Sequence, residues 1–187
     1  MDDVRNQAPR LQAVRSPELS ADGKLVLPAV GGYAILTCMD ARIDVTKLAA
    51  LREGDAHLIR NAGARASDDA IRSLMMSYTA LGTREWFVVH HSHCGMALFS
   101  DETSQELLAE TLNAARQRKE RVKRNDAQAG AVIDWVALRD ERHSLIADVE
   151  RIRKHPLVPA DVAIYGYIYQ TETGRLVAVQ QAQLGRT

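Results

Sequence analysis

The sequence predicts an α/β fold: a mostly parallel central sheet flanked by helices, with a C-terminal edge hairpin. Three observations carry that expectation. The runs Tyr33 to Cys38 and Glu85 to His91 are almost continuously apolar, as strands buried on both faces are. A helical stripe lies between them, and helix alternating with strand implies a parallel sheet. Near the end, Thr173-Gly174 separates two strand-like runs and marks a hairpin.

The elements follow in chain order. Gly31 and Gly32 precede the first strand, YAILTC. Asp44 is placed to cap a helix, VTKLAALRE, which Gly54 ends. Ala56 to Arg60 forms a second short strand leading into Asn61-Ala62-Gly63. Ser67 or Asp68 caps the next helix, where Ile71, Leu74, Met75, Tyr78 and Leu81 recur at helical spacing and Gly82 closes the end. That stripe is core, not a cofactor site. EWFVVHH, ending at His91, is the third strand. After Cys94 the pattern is helical and polar to about Arg124, and Asn125 to Gly130 is a loop. Leu138 to Lys154 forms a helix whose inner face is Leu138, His143, Ile146, Val149, Ile152 and Arg153, ended by His155-Pro156. Val162 to Tyr169 and Arg175 to Gln180 are the hairpin strands.

A chain of 187 residues, 46% apolar and 26% charged, fits one soluble globular domain. Lys plus Arg and Asp plus Glu each number 24, so nothing attracts nucleic acid, an anionic membrane or a polyanionic substrate in general. A small neutral substrate suits that balance. The basic cluster Arg116 to Arg124 reads as a solvated helix face. The N-terminal residues contain no apolar run of signal-peptide length, and Leu25 to Val30, interrupted by Pro28, falls far short of the ~20 residues of a membrane helix. A cytoplasmic location is expected.

The chemistry gathers where strands end. Cys38 closes the first strand, and His91 and Cys94 close the third, on the edge where open parallel sheets bind their ligands. A Cys, His, Cys set suits zinc in a catalytic site with one position left for water. The two cysteines could instead be inert buried thiols, and a disulfide is a more distant reading. His90 and His91 are strand neighbours and point to opposite faces, so they do not share a metal. His93 adjoins Cys94, which makes a common centre awkward, whereas His91 and Cys94 converge across a turn. His91 is therefore the ligand, His90 a packed histidine and His93 a rim residue. His57, His143 and His155 belong to no constellation. Asp40 and Arg42 follow Cys38 at alternate positions, so Asp40 can reach the metal or pair with Arg42.

The motifs CMDAR (38–42), RNAGA (60–64), DDAIRSL (68–74), LGTRE (81–85) and HHSHCGM (90–96) resemble the beta-class carbonic anhydrases. DVERIRKHPLVP and GYIYQTETGRL resemble that family's closing helix and hairpin, so the likeness runs from about Gly31 to Val179. The resemblance implies a zinc domain over residues 31–187 behind an N-terminal extension, 1–30. It makes Cys38, His91 and Cys94 the zinc ligands, with Asp40 a fourth in a closed state, and Asp40 with Arg42 the catalytic pair. It implies reversible hydration of carbon dioxide to bicarbonate by zinc-bound hydroxide. Zinc lowers the pKa of bound water to about 7, a value measured in carbonic anhydrase itself. His93 or His90 is a candidate proton relay. The resemblance further implies a homodimer or higher homo-oligomer, with residues 1–30 packing across the partner. Relatives with this pattern also hydrolyse carbonyl sulfide or carbon disulfide, which makes those gases the rival substrates. A catalytically silent zinc protein with Asp40 kept on the metal is a third reading. Two departures stand out: His93 occupies a position where relatives often carry Asp, and the pocket glutamine and tyrosine of the plant-like branch are not placed on any residue of this sequence.

Overall fold

The computed structural model describes residues 29, 31–48, 51, 54–117 and 134–185. The proposed extension (Ala29 apart), the end of the VTKLAALRE helix, the basic cluster beyond Gln117 and the 125–130 loop lie outside them.

Five strands form a single mixed sheet in the order β2-β1-β3-β4-β5. They are β1 (Tyr33–Cys38), β2 (Ala56–Asn61), β3 (Glu85–His91), β4 (Ala163–Gln170) and β5 (Arg175–Leu184). The first four run parallel, and β5 returns antiparallel along β4 as the expected edge hairpin. All of β1 is buried, and so is β3 after Glu85, which is why both read as unbroken apolar runs. β5 outlasts its expected end because the pairing shifts register between Tyr165 and Tyr167 and then resumes. Gly166 occupies that shift. A Cβ there would come within 2.5 Å of Ala182 Cβ, so only glycine lets the two strands approach.

The helices are α1 (Val45–Leu48), α2 (Asp68–Thr79), α3 (Asp101–Gln117) and α4 (Glu141–Lys154). Ser67 caps α2, its hydroxyl accepting the Ala70 N–H, and Gly82 closes the end in a left-handed conformation at φ +79°. Ile71 and Leu74 are buried as expected, with Met75 and Tyr78 packed against the core at its margin. α4 corrects the sequence reading in two ways. It starts at Glu141, because the Asp140 side chain accepts the His143 N–H and caps the helix there. Its buried face is Ser144, Leu145, Asp148, Val149 and Ile152, leaving His143 exposed and Leu138 buried outside the helix. A buried carboxylate sits in the middle of that stripe, so apolar periodicity mis-phased the helix.

Alternation along the strands divides the core. Ala34, Leu36, Trp86 and Val88 face α2 and α4, packing against Ile71, Leu74, Leu145 and Ile152. Burying each of these aliphatic side chains is worth about 1.5–3 kcal/mol. Tyr33, Ile35, Phe87 and Val89 face the other way, into the cluster that also contains Cys38, Cys94 and Leu138. No helix among the described residues is long and apolar enough to cross a membrane.

Candidate metal centre

β1 and β3 are neighbours, so their carboxyl ends deliver Cys38 and His91 side by side, and the turn after β3 brings Cys94 back. The donor atoms of Cys38, His91 and Cys94 all lie within 4.8 Å of one another, and all three residues are buried. The two sulfurs are 3.9 Å apart and unbridged. His91 is set by its other nitrogen: Nδ1–H donates to the Ser92 carbonyl at 3.0 Å, which leaves Nε2 as the free acceptor. That buried Nε2 has no hydrogen-bond partner of good geometry. A buried acceptor without a donor, facing two thiols, is what a soft or borderline cation satisfies, so these residues fit zinc.

The electrostatics of the cluster agree. The shared hydrogen bond with Cys94 is the largest influence on Cys38 and outweighs burial. With help from His91 and the N–H groups of Asp40 and Gly63, it brings the Cys38 thiol down to about 4. Cys94 keeps the remaining proton and is pushed up, by that same bond and by burial, although the Met96 N–H opposes the rise. Burial alone pushes His91 down, but the neighbouring Cys38 sulfur, the Ser92 carbonyl and Asp40 together raise it. The two sulfurs are thus pushed in opposite directions by the one bond they share.

Asp40 is turned onto Arg42. Its Oδ1 accepts from the Arg42 backbone N–H (2.9 Å) and Nε (3.0 Å), and its Oδ2 accepts from Nη2 at 2.7 Å. These bonds hold the Asp40 carboxyl well below the usual carboxylate range. Arg42 also donates to the His93 carbonyl at 2.9 Å, tying the turn after Cys38 to the turn that carries Cys94. Oδ2 nevertheless lies only 3.8 Å from His91 Nε2, so a small rotation would bring Asp40 into the donor cluster. Arg60 is a site residue whose side-chain role the sequence left unread. It donates to the carbonyls of Cys38 (2.9 Å) and Asp40 (2.7 Å), clamping the strand end on which both side chains stand.

The remaining histidines separate as expected. His93 sits exposed at the rim, in a left-handed conformation at φ +51°, and its Nδ1 pairs with Glu172 of the hairpin. Ser92 Oγ reaches Thr171 and Glu172, so the hairpin holds this turn in place. His90 is buried on the opposite face of the sheet, against Asp148, which removes it as a route for protons from the site. His57 bonds Ser77, and His143 bonds Asp140, away from the donor cluster. Beside the centre lies an apolar cavity of about 360 Å³, walled in part by Ala62, Met96, Leu107, Leu108 and Leu138.

Fold and donor set define an α/β protein with a metal-competent carboxyl edge. The carbonic anhydrase family profile matches residues 33–176, and the chain belongs to that family. It is 36% identical over 160 residues to beta-carbonic anhydrase 1 of Mycobacterium tuberculosis, covering 82% of this chain and 85% of that one. It is also 35% identical over 148 residues to a carbon disulfide hydrolase of Acidithiobacillus thiooxidans, covering 76% and 74% respectively. Among solved structures, the carbonic anhydrase from Glaciozyma antarctica superposes with a TM-score of 0.72 at 37% identity, with 94% of each chain covered. The chain is accordingly an enzyme of carbonic anhydrase type, a lyase.

Proposed function

We propose that the chain catalyses the reversible hydration of carbon dioxide to bicarbonate, with zinc held by Cys38, His91 and Cys94. The single observation that carries this reading is the placement of Asp40: bonded three times to Arg42, it leaves a donor set with room for one more ligand. Zinc there supplies a Lewis acid that makes water nucleophilic at neutral pH. The protein does the rest. Arg42 draws Asp40 off the metal position, and the paired carboxylate is an acceptor beside that position. Arg60 fixes the backbone beneath both. The apolar surroundings favour a small neutral gas over an ion.

Asp40 in its pair with Arg42 also speaks against the silent zinc reading, because a closed structural site has no use for an arginine that opens it. The carbon disulfide hydrolase relatives and the apolar cavity beside the centre favour a second reading, hydrolysis of carbonyl sulfide or carbon disulfide at the same residues. We further propose that residues 31–187 form the zinc domain, that residues 1–30 extend from it, and that the chain works in the cytoplasm as a homo-oligomer.

Parallel assays test the choice of gas: zinc-loaded protein is expected to hydrate carbon dioxide rapidly and to release sulfide from carbonyl sulfide or carbon disulfide slowly. Negligible hydration with rapid sulfide release would replace the first reading by the second. Full zinc occupancy with no turnover of any of these gases between pH 6 and 9, the range spanning a zinc-bound water of pKa about 7, would establish the silent one.

A further inference from the structure

The histidine of the donor cluster is aimed by the residue that follows it. His91 Nδ1–H donates to the Ser92 carbonyl at 3.0 Å, and that bond leaves Nε2 facing the sulfurs of Cys38 and Cys94. The carbonyl belongs to the peptide joining Ser92 to His93, and a peptide in a turn can face either way. Facing His91 has a cost here. His93 takes φ +51°, in the left-handed region that is uncommon for any residue but glycine. Turning the Ser92–His93 peptide over would return His93 to a negative φ and swing the carbonyl away from His91; the same rotation separates the two hydrogen-bonded β-turn types I and II. Such a left-handed residue persists only where its surroundings fix it.

Those surroundings come from the tip of the β4–β5 hairpin. The Ser92 N–H donates to the Tyr169 carbonyl at 2.9 Å, extending the pairing of β3 with β4 by one step. The Ser92 hydroxyl oxygen accepts the Thr171 N–H at 2.9 Å and lies 2.9 Å from the Thr171 hydroxyl. Its own proton goes to the Glu172 carboxylate, whose oxygens are 3.0 and 3.1 Å away, because an ionised carboxylate only accepts. The Thr171 hydroxyl is therefore the donor in its bond to Ser92. The hairpin tip is itself closed, with the Thr173 and Gly174 N–H groups donating to the Gln170 carbonyl and Gly174 left-handed at φ +68°. On the other side of the peptide, Arg42 Nη2 holds the His93 carbonyl at 2.9 Å. The two residues joined by the strained peptide are both pinned, so it cannot turn over without loosening one of them. Alanine in place of Ser92 would keep the backbone bond to Tyr169 and lose every side-chain bond to the hairpin.

We propose that Ser92 is a positioning residue of the metal centre and Thr171 its anchor: the hairpin tip, gripping the Ser92 side chain, keeps the Ser92 carbonyl on His91 Nδ1 and so keeps Nε2 facing the two sulfurs. This rests on His91 being a metal ligand, as the proposed function has it. The test uses the zinc-loaded full chain and proton–nitrogen correlation spectra of the His91 ring. In the parent, Nδ1 is expected to carry a proton protected from solvent exchange, with the metal on Nε2. In Ser92→Ala that proton should exchange about tenfold faster, and zinc should pass to a chelator about tenfold faster. Thr171→Val, which keeps the backbone bond to Ser92, should move both in the same direction by less. Two further variants separate orientation from mere support. Ser92→Thr keeps the hydroxyl and should behave as the parent. Ser92→Ala combined with His93→Gly, where a left-handed φ meets no steric cost, should recover both readouts. A Ser92→Ala protein that melts earlier yet keeps its protected proton and its zinc overturns the inference, as does a double variant that recovers neither. The parent spectrum needs no variant: zinc bound with Nδ1 unprotected or metallated overturns it as well. A parent that takes up no metal overturns the zinc reading itself, and this inference falls with it.

Discussion

His90 and His91 are consecutive residues of one strand, each only 1% exposed, and they do opposite things. His90 turns Nε2 onto a carboxylate that is already bonded to an arginine and a backbone amide, while its buried Nδ1 has no partner. His91 meets two sulfurs and presents a nitrogen with no donor to satisfy it. Burial is the same for both; the partners differ. Strand alternation produces the difference, because each step of one residue exchanges one face of the sheet for the other. The lesson is that burial and an unpartnered nitrogen are shared by both, and that two sulfurs within reach make His91 the candidate ligand whereas a charged pair makes His90 an anchor.

The comparison can be broken most severely at His91. His91→Ala is expected to lose tightly held zinc and with it about 10³-fold or more of turnover, read by metal analysis beside a hydration assay. Retention of stoichiometric zinc and activity would mean that the donor set has been misjudged. Asp40→Asn should keep zinc but lose about 10²-fold in turnover, since the amide cannot hold the Arg42 fork as a carboxylate does. His90→Ala reports on the other face: a loss of about 2–3 kcal/mol of stability in a denaturant melt, with zinc still bound at saturating metal. A melt unchanged by that substitution would show that the Asp148 network stands without it. The smallest effect is expected from His93→Ala, whose pair with Glu172 is exposed and contributes little to stability. Turnover in weak buffer should fall a few-fold and recover with added imidazole; no change would remove His93 as the relay.

Acidity sharpens the same contrast. The folded Asp40 carboxyl lies below its unfolded value of about 3.9, so the stability its pair contributes is present above that value and is lost as pH falls through the lower, folded one. Across the neutral range Asp40 stays ionised, and an acid loss of activity must have another source. In the metal-free protein the hydrogen bond between the sulfurs lowers Cys38 and raises Cys94, and the neighbouring Cys38 sulfur raises His91. Zinc uptake at about pH 7 should therefore release roughly one to two protons, measurable by calorimetry in buffers of different ionisation enthalpy.

The candidate donor cluster was legible because its members depend on local properties. Residue type names the soft ligands, unbroken apolar runs locate β1 and β3, and strand alternation separates His91 from His90 without any tertiary knowledge. The same reasoning placed His93 at the rim and found the edge hairpin. It misread α4, where periodicity was asked to interpret a face whose central residue is Asp148. Local pattern treats an aspartate as solvent-facing, and only its partner, Arg65, 83 residues earlier in the chain, makes burial tolerable.

By itself, then, the sequence determined which atoms can coordinate a metal and on which edge of the sheet they stand, because spacing and alternation are short-range rules. The tertiary structure alone decided what surrounds those atoms: Asp40 turned onto Arg42, Arg60 clamped beneath the strand end, and Arg65, just past β2, paired with Asp148 of α4. Those are pairings of buried or half-buried charges brought together from separate segments. Their energies depend on desolvation and direction, which exist only once the chain has closed around them.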